Sequence, residues 1–418
     1  MRLYIDPGTG SMLFTVILGL AGGAFFFVRK LFLQIKFKIK GGKQAAISTS
    51  KTPFVIFSDD RRYWKVFKPV CMEMMRRGWA IKYLTCSEDD PAFEVKDPLF
   101  TCEFLGKGNR AFSRMNYLNA GLVLATTPSL DVFQWKRSKD VDYYVHMQHA
   151  ANDITGYRMF GIDYFDAILL SGTYQVEEVR ELERIRNLPE KDLEIIGIPY
   201  MDELLARLKN SEKVENKDRT VLLAPSWGPN SIFNRYGEDI FKVLLESGYH
   251  VIARPHPQSY TSEAPLLKKL KEEFPESDRL EWNSDNDHFE VLKRADILIS
   301  DFSGIIFDFT LVYDKPLIYA DTDFDKSPYD YWWIDEEPWT FRVLPKIGKK
   351  LDKDNLKDIK VLMDDCIENP AYARARETAR EETWQHMGEG TLRACDFLEK
   401  KLKLLSGDNE QQKVGEES

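Results

Sequence analysis

The chain has 418 residues, 43% of them hydrophobic and 13% aromatic, with a formal net charge of -9. That length exceeds what one hydrophobic core usually fills, so two packed domains with accessory segments are expected. Negative mean hydropathy excludes a polytopic membrane protein, and interspersed charges with a net negative sum exclude a general nucleic-acid binder, whose affinity needs clustered positive charge.

In chain order, residues 1–11 form a short N-terminal segment before an uncharged apolar run, Met12 to Val28, that Leu31 to Leu33 can extend. The run predicts a single membrane span over residues 12–33. Arg29, Lys30, Lys36, Lys38, Lys40 and Lys43 follow it without an acidic residue. The positive-inside rule therefore puts the rest of the chain on the cytoplasmic side of the membrane. A cleavable signal peptide needs its basic region before the apolar core, and here the order is reversed. A basic linker covers residues 34–52.

Short apolar runs then alternate with amphipathic stretches, the pattern of βαβ units. Strands are expected at Phe54–Phe57, Ala80–Leu84, Leu122–Ala125, Tyr143–Val145, Ile168–Leu170 and Glu194–Ile196, with helices at Trp64–Arg77, Tyr174–Arg186 and Tyr200–Lys209. These make a first lobe over residues 53–209. Asn210 to Arg219 is charged and aperiodic, an interdomain linker. A second lobe over residues 220–350 has strands at Val221–Ala224, Val251–Ala253, Ile297–Ile299 and Leu317–Tyr319, with helices at Gly237–Glu246, Ser262–Glu273 and Ser303–Val312. Helical segments fill residues 351–405, and the polar end, 406–418, is expected to lack structure. The fold class is α/β, two Rossmann-like doubly wound lobes. The aromatic stretch Tyr329–Phe341 reads as packing between a lobe and its closing helices. Cys71, Cys86, Cys102, Cys366 and Cys395 are scattered, form no C-x-x-C pair and read as reduced thiols.

Three segments directly after predicted strands carry chemistry, because doubly wound sheets bind ligands beyond the carboxyl ends of their strands. The first, His146-Met147-Gln148-His149-Ala150-Ala151, offers an imidazole able to take a proton from an acceptor hydroxyl. The second, Arg254-Pro255-His256-Pro257, sets a guanidinium and an imidazole on a backbone fixed by two prolines, a pairing suited to a pyrophosphate. The third, Ser300-Asp301-Phe302-Ser303-Gly304, opens a helix whose backbone N–H groups and Ser303 hydroxyl suit an anion. Ordinary helix capping would use the same residue types. Asp301 is placed to orient a loop or a ring nitrogen. Asp321-Thr322-Asp323 has a metal-binding D-x-D spacing, but this kind of fold gives it no role.

The order of these motifs, H-A-A at His149, I-G-I-P-Y-M-D from Ile196, R-P-H-P from Arg254 and S-D-F-S-G-I-I-F-D-F from Ser300, followed by D-K-P-L-I-Y, resembles the CDP-glycerol glycerophosphotransferases of teichoic-acid synthesis. The resemblance spans about Tyr143 to Asp325. It implies a glycosyltransferase-B fold and transfer of a polyol phosphate from a CDP-activated donor to a lipid-linked acceptor at the membrane. It further implies that His149 is the base, Arg254 and His256 the donor-phosphate pair, with His256 also counted as catalytic, and Ser303 with Gly304 the phosphate-binding turn. His146 and Asp301 are supporting candidates. No metal and no cofactor are expected, since the activated donor is a substrate. The family's usual H-G-T stands here as His149-Ala150-Ala151, and the second serine of its S-D-x-S-S is Gly304, which leaves the donor polyol and the acceptor open. A glycosyltransferase of the same fold using a UDP- or GDP-sugar, and a non-catalytic scaffold, are the alternatives. A nucleotide-binding screen separates them.

Overall fold

The computed structural model describes residues 51–416 apart from 215, 286, 302 and 321–323, with side chains as far as residue 407. The expected span at 12–33, the segments flanking it and the Asp321-Thr322-Asp323 triplet lie outside the described residues. Among the described residues no helix is long and apolar enough to cross a membrane. Thr52 to the C-terminus forms one compact unit.

That unit contains two parallel sheets. The first holds β1 (Thr52–Ser58), β2 (Ile81–Thr85), β3 (Phe100–Phe104), β4 (Ala120–Ala125), β5 (Val141–Met147), β6 (Ala167–Leu170) and β7 (Asp192–Ile195) in the order β3-β2-β1-β4-β5-β6-β7. The second holds β8 (Thr220–Leu223), β9 (His250–Ala253), β10 (Leu280–Trp282), β11 (Ile297–Ser300), β12 (Leu317–Ala320) and β13 (Gly348–Leu351) in the order β10-β9-β8-β11-β12-β13. Both are doubly wound, and each order reverses beside its first strand, between β1 and β4 and between β8 and β11. Such a switch point leaves a crevice at the carboxyl ends of the strands.

Alternation along the buried strands assigns each sheet its two faces. Phe54 and Ile56 of β1 and Leu122 and Leu124 of β4 enter one hydrophobic cluster, while Val55, Phe57, Val123 and Ala125 enter another. In the second sheet Leu222 and Leu298 join the same cluster as Phe54, whereas Val221, Leu223, Ile297 and Ile299 face a cluster of their own. One apolar layer thus serves both lobes. Into it pack α1 (Trp64–Arg76), which contributes Phe67, Val70 and Met74, and α3 (Pro199–Lys209), which follows α2 (Thr173–Arg186). Truncating a fully buried ring such as Phe67 to Ala in this layer would cost about 3–5 kcal/mol.

The chain between the second sheet and its end returns to the first lobe. Tyr329–Ile334 lies along the loop at residues 157–163. Buried Asp330 accepts from the Phe160 and Gly161 amides and pairs with Arg186, which also binds Asp163 at 2.6 Å. Phe324, Tyr329, Tyr331 and Phe341 pack ring against ring, so most of this aromatic stretch is packing. Next come α4 (Trp339–Ile347), α5 (Pro370–Thr383) and α6 (Gly390–Glu416). Asp153 of the first lobe accepts from the Trp339 and Thr340 amides at 2.5 and 2.9 Å, a carboxylate at the N-terminus of α4. Asp202 accepts from Trp384 Nε1 and the Gly388 and Gly390 amides at the start of α6. Gly197, at φ +81°, leaves room where a Cβ would lie 2.2 Å from the Gln385 carbonyl oxygen. The I-G-I-P-Y-M-D motif is therefore the seat on which the returning chain docks. Arg77 then binds Asp396 and Glu399, which lays α6 against α1.

Several elements differ from the sequence expectation. Strands β3, β10 and β13 carry too few buried residues to show an apolar run. The expected helix from Gly237 to Glu246 is preceded by a separate turn, Ile232–Tyr236. The expected helix Ser303–Val312 is one α turn, Ile305–Phe307, continued by a π turn, Asp308–Val312. Helix α6 runs through the end expected to be unstructured, as far as Glu416, because its Lys, Glu and Gln residues are good helix formers.

Candidate active site

On the first-lobe side, β5 delivers His149 two residues beyond its carboxyl end. The Tyr63 ring meets the His149 ring edge-on at 5.1 Å, and His149 Nδ1 is buried without a protein partner. Burial pushes the pKa of His149 down to about 4, the Lys65 ammonium adds to the effect, and Asp308 opposes it. The imidazole is accordingly neutral near pH 7 and open to a proton.

His146 is placed differently. It is fully buried inside the sheet, with Nε2 3.0 Å from the Tyr157 hydroxyl. That hydroxyl donates to Gln148 Oε1 at 2.7 Å, so it accepts from His146, which carries its proton on Nε2. Gln148 Nε2 in turn donates to the Ala150 carbonyl and Asn152 Oδ1. His146 anchors the loop that presents His149 and does not itself face the cleft. Its pKa falls to about 3, through burial and then the neighbouring His149.

On the second-lobe side, Arg254 follows β9 and is held by Asn283 Oδ1 and, at 2.7 Å, the Asp285 carbonyl. Burial lowers its pKa, with Asp285 opposing. His256 Nδ1 accepts from the Gln258 amide at 3.1 Å, which leaves the proton of the neutral ring on Nε2 as a donor. Its pKa is lowered by burial and then by Arg62. Asp301 accepts from the Ser226 and Ile232 amides at 2.7 and 3.1 Å and so shapes the loop after β8. Ser303 and Gly304 stand at the start of the short α turn after β11. Gly304 is exposed, and a Cβ there would meet nothing within 4 Å.

Residues not singled out as candidates in the sequence join the two sides. Lys65 Nζ, on α1, donates to the Tyr200 hydroxyl at 3.1 Å and lies 4.3 Å above that ring. Tyr200 also contacts His288 Nε2 at 2.9 Å and Asp308 Oδ2 at 3.4 Å, while His288 and Asp308 are 3.3 Å apart. Asp308 is the second acid of the S-D-F-S-G-I-I-F-D-F segment. Burial lowers the Lys65 pKa, and the charges acting on it include Asp308, Asp287, Arg62 and Arg254. One field therefore couples His149 and Lys65 of the first lobe to Arg254 and Asp308 of the second, and Arg62 to His256. Arg61-Arg62-Tyr63-Trp64-Lys65 was the available signal, a basic and aromatic run directly after the first strand, where a doubly wound lobe places a ligand loop. Among the described residues no group of three or more His, Cys, Asp or Glu could hold a metal ion.

Two parallel, doubly wound sheets in one compact unit make a glycosyltransferase-B-like fold. The family resemblance is borne out: residues 162–331 match the family described as CDP-Glycerol:Poly(glycerophosphate) glycerophosphotransferase. Among solved structures, the wall teichoic acid polymerase TagF is similar with a TM-score of 0.57 and 15% identity, over 92% of this chain and 98% of that one. A TagF variant soaked with CDPG gives 0.54 and 17%, over 84% and 90% of the two chains. UDP-GlcNAc 2-epimerase from Neisseria meningitidis bound to UDP-GlcNAc gives 0.53 and 12%, over 83% and 99%. At these identities the structures establish the shared two-lobed fold. No curated protein sequence matches the chain.

Proposed function

We propose that the chain transfers a polyol phosphate, glycerol phosphate or a similar group, from a CDP-activated donor to a hydroxyl of an acceptor. The observation that carries this reading is the electrostatic convergence of neutral His149 with Lys65, Arg254 and Asp308 between the lobes. The acceptor oxygen attacks the β-phosphorus, a new P–O bond forms, and the bridging P–O bond to CMP breaks with its electron pair leaving on CMP. His149 takes the hydroxyl proton. Arg254, His256 Nε2–H, the Ser303 turn and Lys65 offset the charge on the phosphoryl oxygens, so fixed protein donors do the work of electrostatic stabilisation. No metal or cofactor enters this scheme. With residues 12–33 read as a span, the acceptor belongs to a membrane-linked molecule on the cytoplasmic face.

Thermal-shift titration with CDP-glycerol, CDP-ribitol, UDP- and GDP-sugars tests the donor class. Stabilisation by a CDP-polyol, lost in Arg254→Ala, is the expected result. Stabilisation by nucleotide sugars alone would replace the reading with a glycosyltransferase, and binding of no nucleotide would replace it with a scaffold.

A further inference from the structure

The carboxyl ends of β1, β4 and β5 lie side by side. Phe57 pairs with Ala125, and Ala125 with His146. Two residues further along β1 and β4 come Asp59 and Thr127, and three residues beyond His146 comes His149. Asp59 and Thr127 are neighbours here, for Thr127 and the Asp59 backbone partly offset the rise that burial imposes on the Asp59 carboxyl pKa. Asp59 in turn acts on Tyr63, whose ring abuts His149.

The polar atoms at this edge are distinctive. Asp59 Oδ1, Thr126 Oγ1 and Thr127 Oγ1 are all buried and make no hydrogen bond of ordinary geometry within the protein, although the Thr127 hydroxyl is close enough to the Asp59 carboxyl to lower its pKa; His149 Nδ1 likewise lacks a partner. Thr126 is 1% exposed. At the ends of β1 and β2 the Ser58 hydroxyl donates to the Asp60 carbonyl at 2.9 Å, and the Thr85 hydroxyl to Asp90 at 2.6 Å. Buried unsatisfied polar atoms are rare in native interiors and costly to leave without a partner. Here a carboxylate oxygen and two hydroxyls share the switch point of the first sheet, where doubly wound lobes hold ligands. The carboxylate disfavours a phosphate at this spot. The cations that suit the donor phosphates act elsewhere: Lys65 acts on His149, and Arg254 on Lys65, while neither is among the charges that act on Asp59. A neutral, hydroxyl-bearing group matches two hydroxyls and a carboxyl, since it both donates and accepts.

We propose that Asp59, Thr126 and Thr127 form the subsite for the hydroxyl-bearing end of the acceptor, a neutral polyol terminus, and hold its reacting hydroxyl against His149. The assignment rests on the transferase reading above. It makes these three positioning residues for the acceptor, with no part in donor binding.

Saturation-transfer NMR on the full chain with glycerol as the probe tests it without relying on turnover. Thr127→Val keeps the shape and removes the hydroxyl, and it should raise the apparent Kd for glycerol about tenfold. Thr127→Ser should restore binding, and Asp59→Ala should weaken it as Thr127→Val does. Arg254→Ala should leave glycerol binding unchanged while CDP-glycerol binding is lost. In steady-state assays Thr127→Val should raise the acceptor KM and leave the donor KM unchanged. Saturable glycerol binding that Thr127→Val and Asp59→Ala do not alter, or no saturable binding to the wild-type chain, would overturn the subsite. Threonine-dependent glycerol binding in a chain that binds no CDP-polyol would uphold the subsite and sink the transferase reading instead.

Discussion

If His149 is the base, the acid limb of the kcat/KM profile reports its pKa in the free enzyme. An imidazole in water titrates near 6.5 and would lose about tenfold in activity by pH 5.5. Here burial pushes the group down to about 4, and Lys65 is the next cause. The imidazole therefore remains the competent, neutral species throughout the physiological range, and kcat/KM should stay flat from about pH 8 down to about pH 5. Lys65→Met removes the cation and leaves the burial. A neighbouring unit charge in a partly buried site typically acts with about 1–2 kcal/mol, or roughly one pKa unit. The acid limb should thus move up by about one pH unit in Lys65→Met, whatever happens to the absolute rate. Initial rates of CMP release from CDP-glycerol, measured across pH 4.5–8.5 at subsaturating donor, check both statements. A wild-type limb near 6.5 that Lys65→Met leaves in place would refute the electrostatic account of the site.

Two further expectations concern stability. Arg186 and Asp330 have side chains 6% and 0% exposed, so Asp330→Ala leaves the buried guanidinium with Asp163 as its remaining carboxylate and the Phe160 and Gly161 amides without an acceptor, and should cost about 3 kcal/mol; an unchanged chemical-denaturation midpoint would show that the strap at Tyr329–Ile334 is not held by this carboxylate. His146 has its pKa lowered to about 3 in the folded chain, against about 6.5 unfolded, so the unfolded chain binds more protons between those values and stability falls as pH falls through that window. From pH 6.5 to pH 5 the loss from this residue is about 2 kcal/mol, and urea titrations of His146→Gln at both pH values should show a correspondingly smaller drop than the wild type, an equal drop being the refuting result.

The central strands were legible because a strand buried on both faces is an uninterrupted apolar run, as Phe54–Phe57 and Leu122–Ala125 show. The three strands that escaped notice, β3, β10 and β13, are all at sheet edges. There one flank is open, and Phe100–Phe104, Leu280–Trp282 and Gly348–Leu351 have room for Thr, Glu and Lys among their few buried residues. The same logic divides the site. His149, Arg254, His256 and Ser303 could be named because each stands just past a central strand, where a doubly wound sheet places its ligand loops. Lys65, Tyr200, His288 and Asp308 sit on helices or helix edges whose cleft-facing side depends on how one lobe packs against the other, and that relation is not local in sequence. Asp59, Thr126 and Thr127 follow central strands too, yet as ordinary Asp and Thr they carry no motif. What distinguishes them is the lack of a partner for buried atoms, a property of the folded chain that periodicity cannot encode. In the function proposed above, the donor half of the chemistry is legible as motifs, whereas the half assigned to the acceptor emerges from packing, and substitutions that retune acceptor choice are expected among residues with no signature in the sequence.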